Sequence, residues 1–479
     1  MNFVIQNRHP ASVFRFFEEI SAIPRGSYHE EKIADYLVAF AEKRGLENYR
    51  DASNNVLITA PATPDRADDA PILFQGHTDM VCEKNGDEKH DFLHDPLNLY
   101  VDGNFLRAKG TTLGADDGIA VAVMLALLDG EIASHPAFEC LFTTAEEVGL
   151  DGAKAFDYSK ISARRMINLD SEKFGVATAG CAGGVRSDLT LSYCPVPFAG
   201  ETIRIGITGL RGGHSGEDVN SGRANANLLM GRMLAELIAS TDARLVSLSG
   251  GSKDNAIPRE CVTVVAVPDF AAAQDRVTST AERIAKELSA QDRGFCVMVE
   301  ECEPETVMLS AEDTRRAVTI LACARTGVLE MSKKIEGLVE YSRNLGVVRQ
   351  EEGKLTFVFS SRSSIENQLD ATERELNLFA ASMGCTVRHH SRYPGWDYAP
   401  VSALRDAYCK AYREVTGKDA VVNVIHAGLE CGIIHSHLPE MDMISVGPDL
   451  HDIHSPNETL DLSSTELFWK VLERLIGVL

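Results

Sequence analysis

The chain has 479 residues, too many for one small core, so we expect more than one domain. Hydrophobic residues make up 44% and charged residues 24%, as in an ordinary folded globular protein. The formal net charge of −23 argues against nucleic-acid binding, which needs a basic surface to meet the phosphates.

Apolar segments and cysteines indicate the compartment. The longest apolar run, residues 118–128, is far shorter than the ~18 to 20 residues that span a bilayer. The first residues show no basic segment followed by an apolar one, so no secretory signal is predicted. The eleven cysteines include no CxxC pair, which suits a reducing compartment. We expect a cytoplasmic protein with no membrane contact, and a metal in it would have to rely on His and carboxylate ligands.

The N-terminal part shows helix signals first. Apolar residues recur at helical spacing over residues 13–20. Ser27 and Glu30 form the pattern of a capping box for a second helix, which Gly45 ends. Strands and one helix then alternate, which indicates an α/β fold with a mainly parallel sheet. The predicted strands are residues 56–59, 72–74, 138–144 and 166–169, and the predicted helix is residues 118–128.

The pattern changes after the glycine-rich stretch 179–184. Alternating strands are predicted over residues 189–193, 202–207 and 262–267, and long helices over residues 224–240 and 271–288. This combination indicates an α+β domain. Helix and buried-strand patterns return over residues 403–415 and 443–446. We therefore predict one domain built from residues 1–186 and 393–479, interrupted by a domain of residues 187–392.

Side chains that could hold a metal follow the ends of several predicted strands. They are His77, Asp79, Glu146, Glu147, Asp170 and His454, and Asp116 lies in a glycine-bearing loop before a helix. Each alone is explained more simply as a surface histidine, a helix cap or a solvated carboxylate. In open α/β sheets, however, the carboxyl ends of the strands are where sites form. Carboxylates gathered there would repel one another, and bound cations remove that cost.

Five motifs resemble, in order, those of the M20 metallopeptidases. They are GHTDM at 76–80, LGADDG at 113–118, TAEEVG at 144–149, NLD at 168–170 and HSPNE at 454–458. The resemblance covers essentially the whole chain and is strongest to the aminoacyl-histidine (Xaa-His) dipeptidase branch. One difference is Asp117, where some members of that branch have Asn.

This resemblance implies a dinuclear zinc dipeptidase that hydrolyses Xaa-His and related dipeptides. Asp116 would bridge two zinc ions per subunit, for which Co²⁺ or Mn²⁺ can substitute. His77 and Asp170 would complete one zinc site, and Glu147 and His454 the other. Such His and carboxylate ligands are usual in catalytic zinc sites.

The same resemblance assigns two further roles at this centre. Glu146 would be the general base that takes the proton of a metal-activated water. Asp79 would orient the imidazole of His77 without binding metal. Together they would complete the catalytic group.

The interrupting domain would be a lid and dimerisation domain on the catalytic domain, in a homodimer. His214, in a glycine-rich loop, would stabilise the oxyanion, often across the dimer interface. Asn255 and Arg362 would hold the substrate, Arg362 by its C-terminal carboxylate, which the guanidinium fork suits. Gly428 and Glu430 would line the amino end of the substrate.

Other functions are alternative hypotheses that the same residues support less well. An M20-type amidohydrolase of other small peptides or N-acyl amino acids would share the metal ligands and differ around Arg362, Gly428 and Glu430. A non-catalytic binding protein on a peptidase scaffold should have lost Glu146 or a ligand, yet all are present. A dinucleotide-binding oxidoreductase is set aside because no GxGxxG follows an early strand.

Overall fold

The computed structural model describes residues 3–198, 200–302 and 305–479. Their α-helices are α1 (Ala11–Ser21), α2 (Glu31–Arg44), α3 (Ala115–Leu128), α4 (Asp151–Ala155), α5 (Ala226–Ser240), α6 (Phe270–Ala285), α7 (Ala311–Cys323), α8 (Glu366–Ser382), α9 (Ala403–Thr416), α10 (Glu430–His437) and α11 (Leu462–Ile476). None of these helices is both long and apolar enough to cross a membrane.

The β-strands of the described residues are mostly short, and three of them, β9, β19 and β20, have ten residues or more. They are β1 (Glu47–Arg50), β2 (Val56–Ala60), β3 (Ile72–His77), β4 (Leu99–Asp102), β5 (Phe105–Ala108), β6 (Phe138–Thr143), β7 (Arg165–Asn168), β8 (Val176–Cys181), β9 (Gly183–Ser192), β10 (Val196–Pro197), β11 (Glu201–Thr208), β12 (Gly213–His214), β13 (Arg244–Gly250), β14 (Ala256–Ile257), β15 (Cys261–Val267), β16 (Cys296–Glu301), β17 (Val307–Met308), β18 (Gly327–Met331), β19 (Val339–Glu351), β20 (Lys354–Ser363), β21 (Thr386–Tyr393), β22 (Val421–Ile425), β23 (Asp442–Ser445), β24 (Leu450–His451) and β25 (Thr459–Asp461).

The chain divides into two compact units. Unit 1 consists of Met1–Cys181, Trp396–Val424 and Leu429–Leu479, and unit 2 of Ala182–Gly395 and Ile425–Gly428. Two unit boundaries therefore fall after residues 181 and 395, where the sequence predicted 186 and 392. Residues 425–428, predicted for the domain of residues 393–479, belong instead to unit 2. The lid and dimerisation role of the interrupting segment stays a prediction.

Unit 1 is built on an eight-stranded sheet in the order β1-β2-β6-β3-β7-β23-β8-β22. Its four central strands β6, β3, β7 and β23 run parallel, whereas β1, β2 and β8 pair antiparallel with their neighbours. The α/β prediction with a parallel sheet is thus confirmed at the centre of the sheet. Because the central strands are parallel, their carboxyl ends meet at one edge.

The core of unit 1 explains why these strands read as continuous apolar runs. Every residue of β3 and β6 is buried, as expected for central strands covered on both faces. All of α3 is buried as well. Phe74 of β3 and Phe138 of β6 meet edge to face, with ring centroids 5.3 Å apart. The predicted strands and helix of this region are therefore present.

The capping box predicted at the start of α2 is wrong. The helix begins at Glu31, and neither Ser27 nor Glu30 caps it with its side chain. Ser27 Oγ instead donates to Asp79 Oδ2 (2.8 Å), and Glu30 Oε1 accepts from the Ala145 N–H (2.9 Å). Both side chains are engaged in contacts distant in sequence, which a local pattern cannot reveal.

Unit 2 is built on a nine-stranded sheet whose main order is β16-β11-β15-β13-β19-β20-β9-β21, with β18 beside β19. All its registered pairs are antiparallel. Ile203, Ile205 and Ile207 of β11 are fully buried at alternate positions, as one covered sheet face requires. The hydrophobic core beneath this sheet face also contains residues of helices α5, α6 and α7. Unit 2 therefore combines an antiparallel sheet with helices, as predicted for an α+β domain.

Candidate metal centre

Three groups of potential metal ligands meet at the carboxyl edge of the central strands of unit 1. In each group the ligand atoms lie within 4.8 Å of one another. The groups are His77 with Asp116 and Asp170, Asp116 with Glu147 and His454, and His77 with Glu146 and Glu147. All five residues that the sequence predicts as ligands are therefore brought together, with Asp116 common to two groups.

His77 is the last residue of β3, and its side chain is 1% exposed. Its Nε2 lies 3.3 Å from Asp116 Oδ1 and 3.8 Å from Asp170 Oδ1. Its Nδ1 lies 3.1 Å from the backbone oxygen of Asp79 and 3.4 Å from Asp79 Oδ1. The ring is thus oriented from the Asp79 side and directs its other nitrogen at the carboxylates.

Asp116 lies at the start of α3, with backbone angles outside the helical range. Its Oδ2 lies 3.0 Å from His454 Nε2, and the same nitrogen lies 3.1 Å from Glu147 Oε1. The Asp116 carboxylate therefore lies between two imidazoles. The His454 side chain is 46% exposed, so the cluster opens to solvent on that side.

Glu146 and Glu147 follow β6 in a turn that begins at Ala145, whose φ is +50°. Asp79 Oδ1 accepts from the Glu146 N–H (3.0 Å), and Asp79 Oδ2 from the Glu147 N–H (3.3 Å). Glu147 belongs to two of the three ligand groups and Glu146 to one. Asp79 thus contacts both the histidine strand and the glutamate turn.

Burial and crowding shift the ionisation of these groups. Burial raises the pKa of Glu146 well above its ordinary value, and the charges of Glu430 and Glu147 add to the rise. Burial likewise raises the pKa of Asp170 well above its ordinary value. Burial would also raise the pKa of Asp116, but its hydrogen bonds with His454 and His77 hold that pKa below the ordinary value.

The donor set fits divalent metal ions. The ion-pair contacts of Asp116, Glu147 and Asp170 among the described residues are with the imidazoles of His77 and His454. Hydrogen bonds to Asp116 and Glu147 raise the pKa of His454 to about 10. Carboxylates and histidines that stabilise one another in this way are the ligands that zinc takes in catalytic sites.

The predicted substrate residues His214, Asn255 and Arg362 lie in unit 2. His214 pairs with Ala256 in the short β12–β14 ladder, and the Ser215 N–H donates to the Asn255 oxygen (2.9 Å). Arg362 Nη2 lies 3.4 Å from His214 Nε2. The structure therefore brings these three residues into one neighbourhood.

Arg362 has a donor left over. Its Nη1 donates to the Tyr393 hydroxyl (3.0 Å), and the residue is 5% exposed. Its buried Nε has no hydrogen-bond partner among the described residues. Gly428, also predicted to line the substrate, lies against Tyr393, since a Cβ there would be 2.9 Å from the tyrosine ring. A buried guanidinium with an unpaired N–H can donate a charge-assisted hydrogen bond to an anion.

Glu430 begins α10 and lies in unit 1, fully buried. Its Oε2 accepts from Gln75 Nε2 (2.5 Å) and Thr143 Oγ1 (2.6 Å), and its Oε1 has no partner among the described residues. Burial raises its pKa to about 7. The structure thus holds Glu430 at the ends of β3 and β6, and its role at the amino end of the substrate stays a prediction.

Two residues of this centre were missed by the sequence reasoning. Arg25 is 1% exposed and donates to backbone oxygens of the segments that carry Asp79 and Asp116. Glu458 is 3% exposed and accepts from backbone N–H groups of the second segment. Glu458 is the last residue of the HSPNE motif, so the motif could have indicated a role for it. Nothing in the sequence around Arg25 distinguishes that residue.

Comparison with known proteins identifies the class to which this fold and site belong. The sequence profile of peptidase family M20/M25/M40 matches residues 73–477. The chain therefore belongs to this family and is a metallopeptidase.

Two relatives match over nearly their full length. The cytosol non-specific dipeptidase of Escherichia coli is 36% identical over 471 residues, which cover 98% of this chain and 97% of the relative. The crystal structure of an aminoacylhistidine dipeptidase from Vibrio alginolyticus superposes with a TM-score of 0.92 at 37% identity, over 99% of this chain and 97% of that one. An aminopeptidase from Bacillus cereus shares the fold alone, with a TM-score of 0.55 at 17% identity over 97% and 98% of the two chains.

Proposed function

We propose that this metallopeptidase is a dinuclear zinc dipeptidase that hydrolyses Xaa-His and related dipeptides. The observation that carries the proposal is the sharing of Asp116 by two ligand groups, one with His77 and Asp170 and one with Glu147 and His454. Each oxygen of the Asp116 carboxylate lies near an imidazole, Oδ1 near His77 and Oδ2 near His454, which supports two ions on either side of it. When bound, two zinc ions would activate a water molecule and polarise the scissile carbonyl.

Glu146 is the general base of this proposal. It takes a proton from the attacking water and donates one to the leaving amine, so it has to stay free of strong ligation. Its membership of one ligand group, against two for Glu147, supports that division of the pair. Asp79 supports both partners, because it accepts from the Glu146 N–H and contacts His77.

Substrate binding is assigned to Arg362, His214 and Asn255. The unpartnered, buried Nε of Arg362 supports the binding of a free C-terminal carboxylate. Burial and the positive charge of Arg362 lower the pKa of His214, which keeps this imidazole neutral and able to donate one N–H to an oxyanion. The names of the two relatives differ, one being a non-specific dipeptidase and the other an aminoacylhistidine dipeptidase. Both are dipeptidases, which supports the dipeptide as substrate.

We further infer a cytoplasmic homodimer in which the interrupting domain is the lid and dimerisation domain. The name of the Escherichia coli relative as a cytosol enzyme supports the compartment. In the dimer, His214 of one subunit serves the metal centre of the other, and Gly428 and Glu430 line the amino end of the substrate.

The test combines metal analysis with a substrate panel. The purified chain should hold up to two zinc ions and lose hydrolysis when they are removed by a chelator. Dipeptides ending in His should be among the best substrates, and C-terminally amidated dipeptides should be cut much more slowly because Arg362 loses its partner. Full activity of a chain shown by elemental analysis to be metal-free would overturn the zinc proposal. Equal rates on free and amidated dipeptides would overturn the role of Arg362.

A further inference from the structure

The Glu458 carboxylate accepts four backbone hydrogen bonds from the segment that leads into α3. Its Oε2 accepts from the N–H groups of Leu113 (2.8 Å) and Gly114 (3.0 Å). Its Oε1 accepts from those of Ala115 (2.8 Å) and Asp116 (3.3 Å). The first N–H groups of a helix have no acceptor within the helix, and here the buried carboxylate of Glu458 is that acceptor. The backbone that carries Asp116 is therefore held by a side chain from the opposite end of the sequence.

Arg25 holds the same segment by its carbonyl side. Its Nη2 donates to the Gly114 oxygen, while its Nη1 donates to the oxygens of Thr78 (2.9 Å) and Asp79 (3.3 Å). The two polar groups of Gly114 thus contact opposite charges, its N–H the carboxylate of Glu458 and its carbonyl the guanidinium of Arg25. Gly114 has a φ of +64°, and a Cβ there would lie 2.6 Å from Arg25 Nη2, so a larger residue would be strained and would displace the guanidinium.

Glu458 also shares a short segment with His454, four residues before it. The segment of residues 454–458 therefore contacts Asp116 at two places, its side chain and its backbone. His454 Nε2 lies 3.0 Å from the Asp116 carboxylate, and Glu458 accepts from the Asp116 backbone. A shift of this segment would move one candidate ligand and release the backbone of another at the same time.

We propose that Glu458 is a positioning residue of the metal centre, which holds Asp116 between His77 and His454 and so makes the binding of both metal ions depend on one carboxylate outside the ligand set. This inference rests on the proposed function, in which Asp116 is the ligand that the two ions share. Groups that orient ligands from outside the metal coordination typically change metal affinity by about 10- to 100-fold.

The test is the zinc affinity of Glu458→Gln, measured by competition with a chromophoric chelator. A glutamine amide accepts with one oxygen only, and its NH₂ group would face backbone N–H donors. The variant therefore loses part of the hydrogen bonding to residues 113–116. Both zinc dissociation constants should rise by about 10- to 100-fold. Saturating zinc should restore most of the lost kcat, an effect that misfolding would not allow. If Glu458→Gln does not fold, Glu458→Asp replaces it, with the same expected direction.

Glu139→Gln is the matched control. Glu139 is 5% exposed in unit 1 and accepts from the N–H groups of Ser162 (3.0 Å) and Ala163 (3.2 Å). Its replacement should lower stability in the same way and leave zinc affinity unchanged. Unchanged zinc affinity in the Glu458 variant, or weakening of one ion alone, would overturn this inference while the zinc centre stands. A wild-type chain that binds no zinc would instead overturn the proposed function.

Discussion

The backbone nitrogen of Glu146 lies 3.0 Å from Oδ1 of Asp79, so one buried carboxylate connects the turn of the candidate base to the strand of His77. The same oxygen lies 3.4 Å from His77 Nδ1. Asp79 therefore fixes the orientation of one candidate ligand and the position of the base together. Its removal should affect metal binding and catalysis at once.

Asp79→Ala should weaken zinc binding by about 10- to 100-fold, because His77 Nδ1 loses the carboxylate beside it and keeps only the backbone oxygen of residue 79. The N–H groups of Glu146 and Glu147 would also lose their acceptor. Chelator competition gives the affinity, and kcat at saturating zinc reports the displaced base separately. Asp79→Asn keeps one acceptor oxygen and should fall between wild type and Asp79→Ala. A zinc affinity equal to wild type in the alanine variant would contradict the orienting role.

Glu146 and Glu147 should give different phenotypes although they are neighbours. Glu146→Ala should lower kcat by at least ~10²-fold with zinc content near wild type, since proton transfer is lost and ligation is kept. Glu147→Ala should lose zinc, because Glu147 contacts His454 and belongs to two ligand groups. Elemental analysis beside steady-state kinetics distinguishes them. The reverse pair of phenotypes would show that the base and the ligand are exchanged.

His214→Ala should keep zinc and reduce kcat by ~10²- to 10³-fold, as expected when one oxyanion donor is lost. Subunit mixing tests whether it acts across the dimer. If it does, a heterodimer of His214→Ala and Glu146→Ala chains has both lesions in one site and leaves the other whole.

Such mixtures should recover up to half of wild-type activity. If His214 served its own chain, every site would keep one lesion and no activity would return. Native mass spectrometry confirms that subunits have exchanged. Exchange without recovery would rule out the shared site.

Gly76→Ala should destabilise the centre of the unit 1 sheet. A Cβ at Gly76 would lie 2.5 Å from Asp117 Oδ2 and 2.6 Å from the Ala120 Cβ. Overpacking of this kind costs about 1–3 kcal/mol of unfolding free energy, and a lower Tm would report it. Gly86→Ala is the control, since a Cβ there meets nothing within 4 Å. Equal Tm values for the two variants would show that the α3–β3 contact adapts without strain.

The sequence predicted the metal cluster because its residues follow elements with strong periodic signals. Buried parallel strands are rich in apolar residues, and the candidate residues lie at the end of β3 or within a few residues after β6 and β7. The same reasoning failed at Ser27, where a hydrogen bond to Asp79 replaced the expected cap. Local patterns cannot distinguish these alternatives, because the competing partner is distant in sequence.

The long strands β19 and β20 were not predicted for a related reason. β20 is buried along nine of its ten residues, yet its last four are Ser360, Ser361, Arg362 and Ser363. Polar residues inside a buried strand remove both the alternation and the apolar run that mark strands. β20 forms instead through backbone hydrogen bonding to β19 on one side and to β9 on the other, which the side-chain pattern does not indicate.

The spread of the cluster along the chain, from His77 to His454, bears on how the protein is made. A growing polypeptide holds His77, Asp116, Glu147 and Asp170 long before His454 leaves the ribosome. Until then Asp116 lacks one of its two imidazoles, and the backbone before α3 lacks Glu458. On the proposed function, hydrolytic chemistry therefore begins only after residues 454–458 have been made, and a product that terminates before His454 carries His214, Asn255 and Arg362 without a working centre.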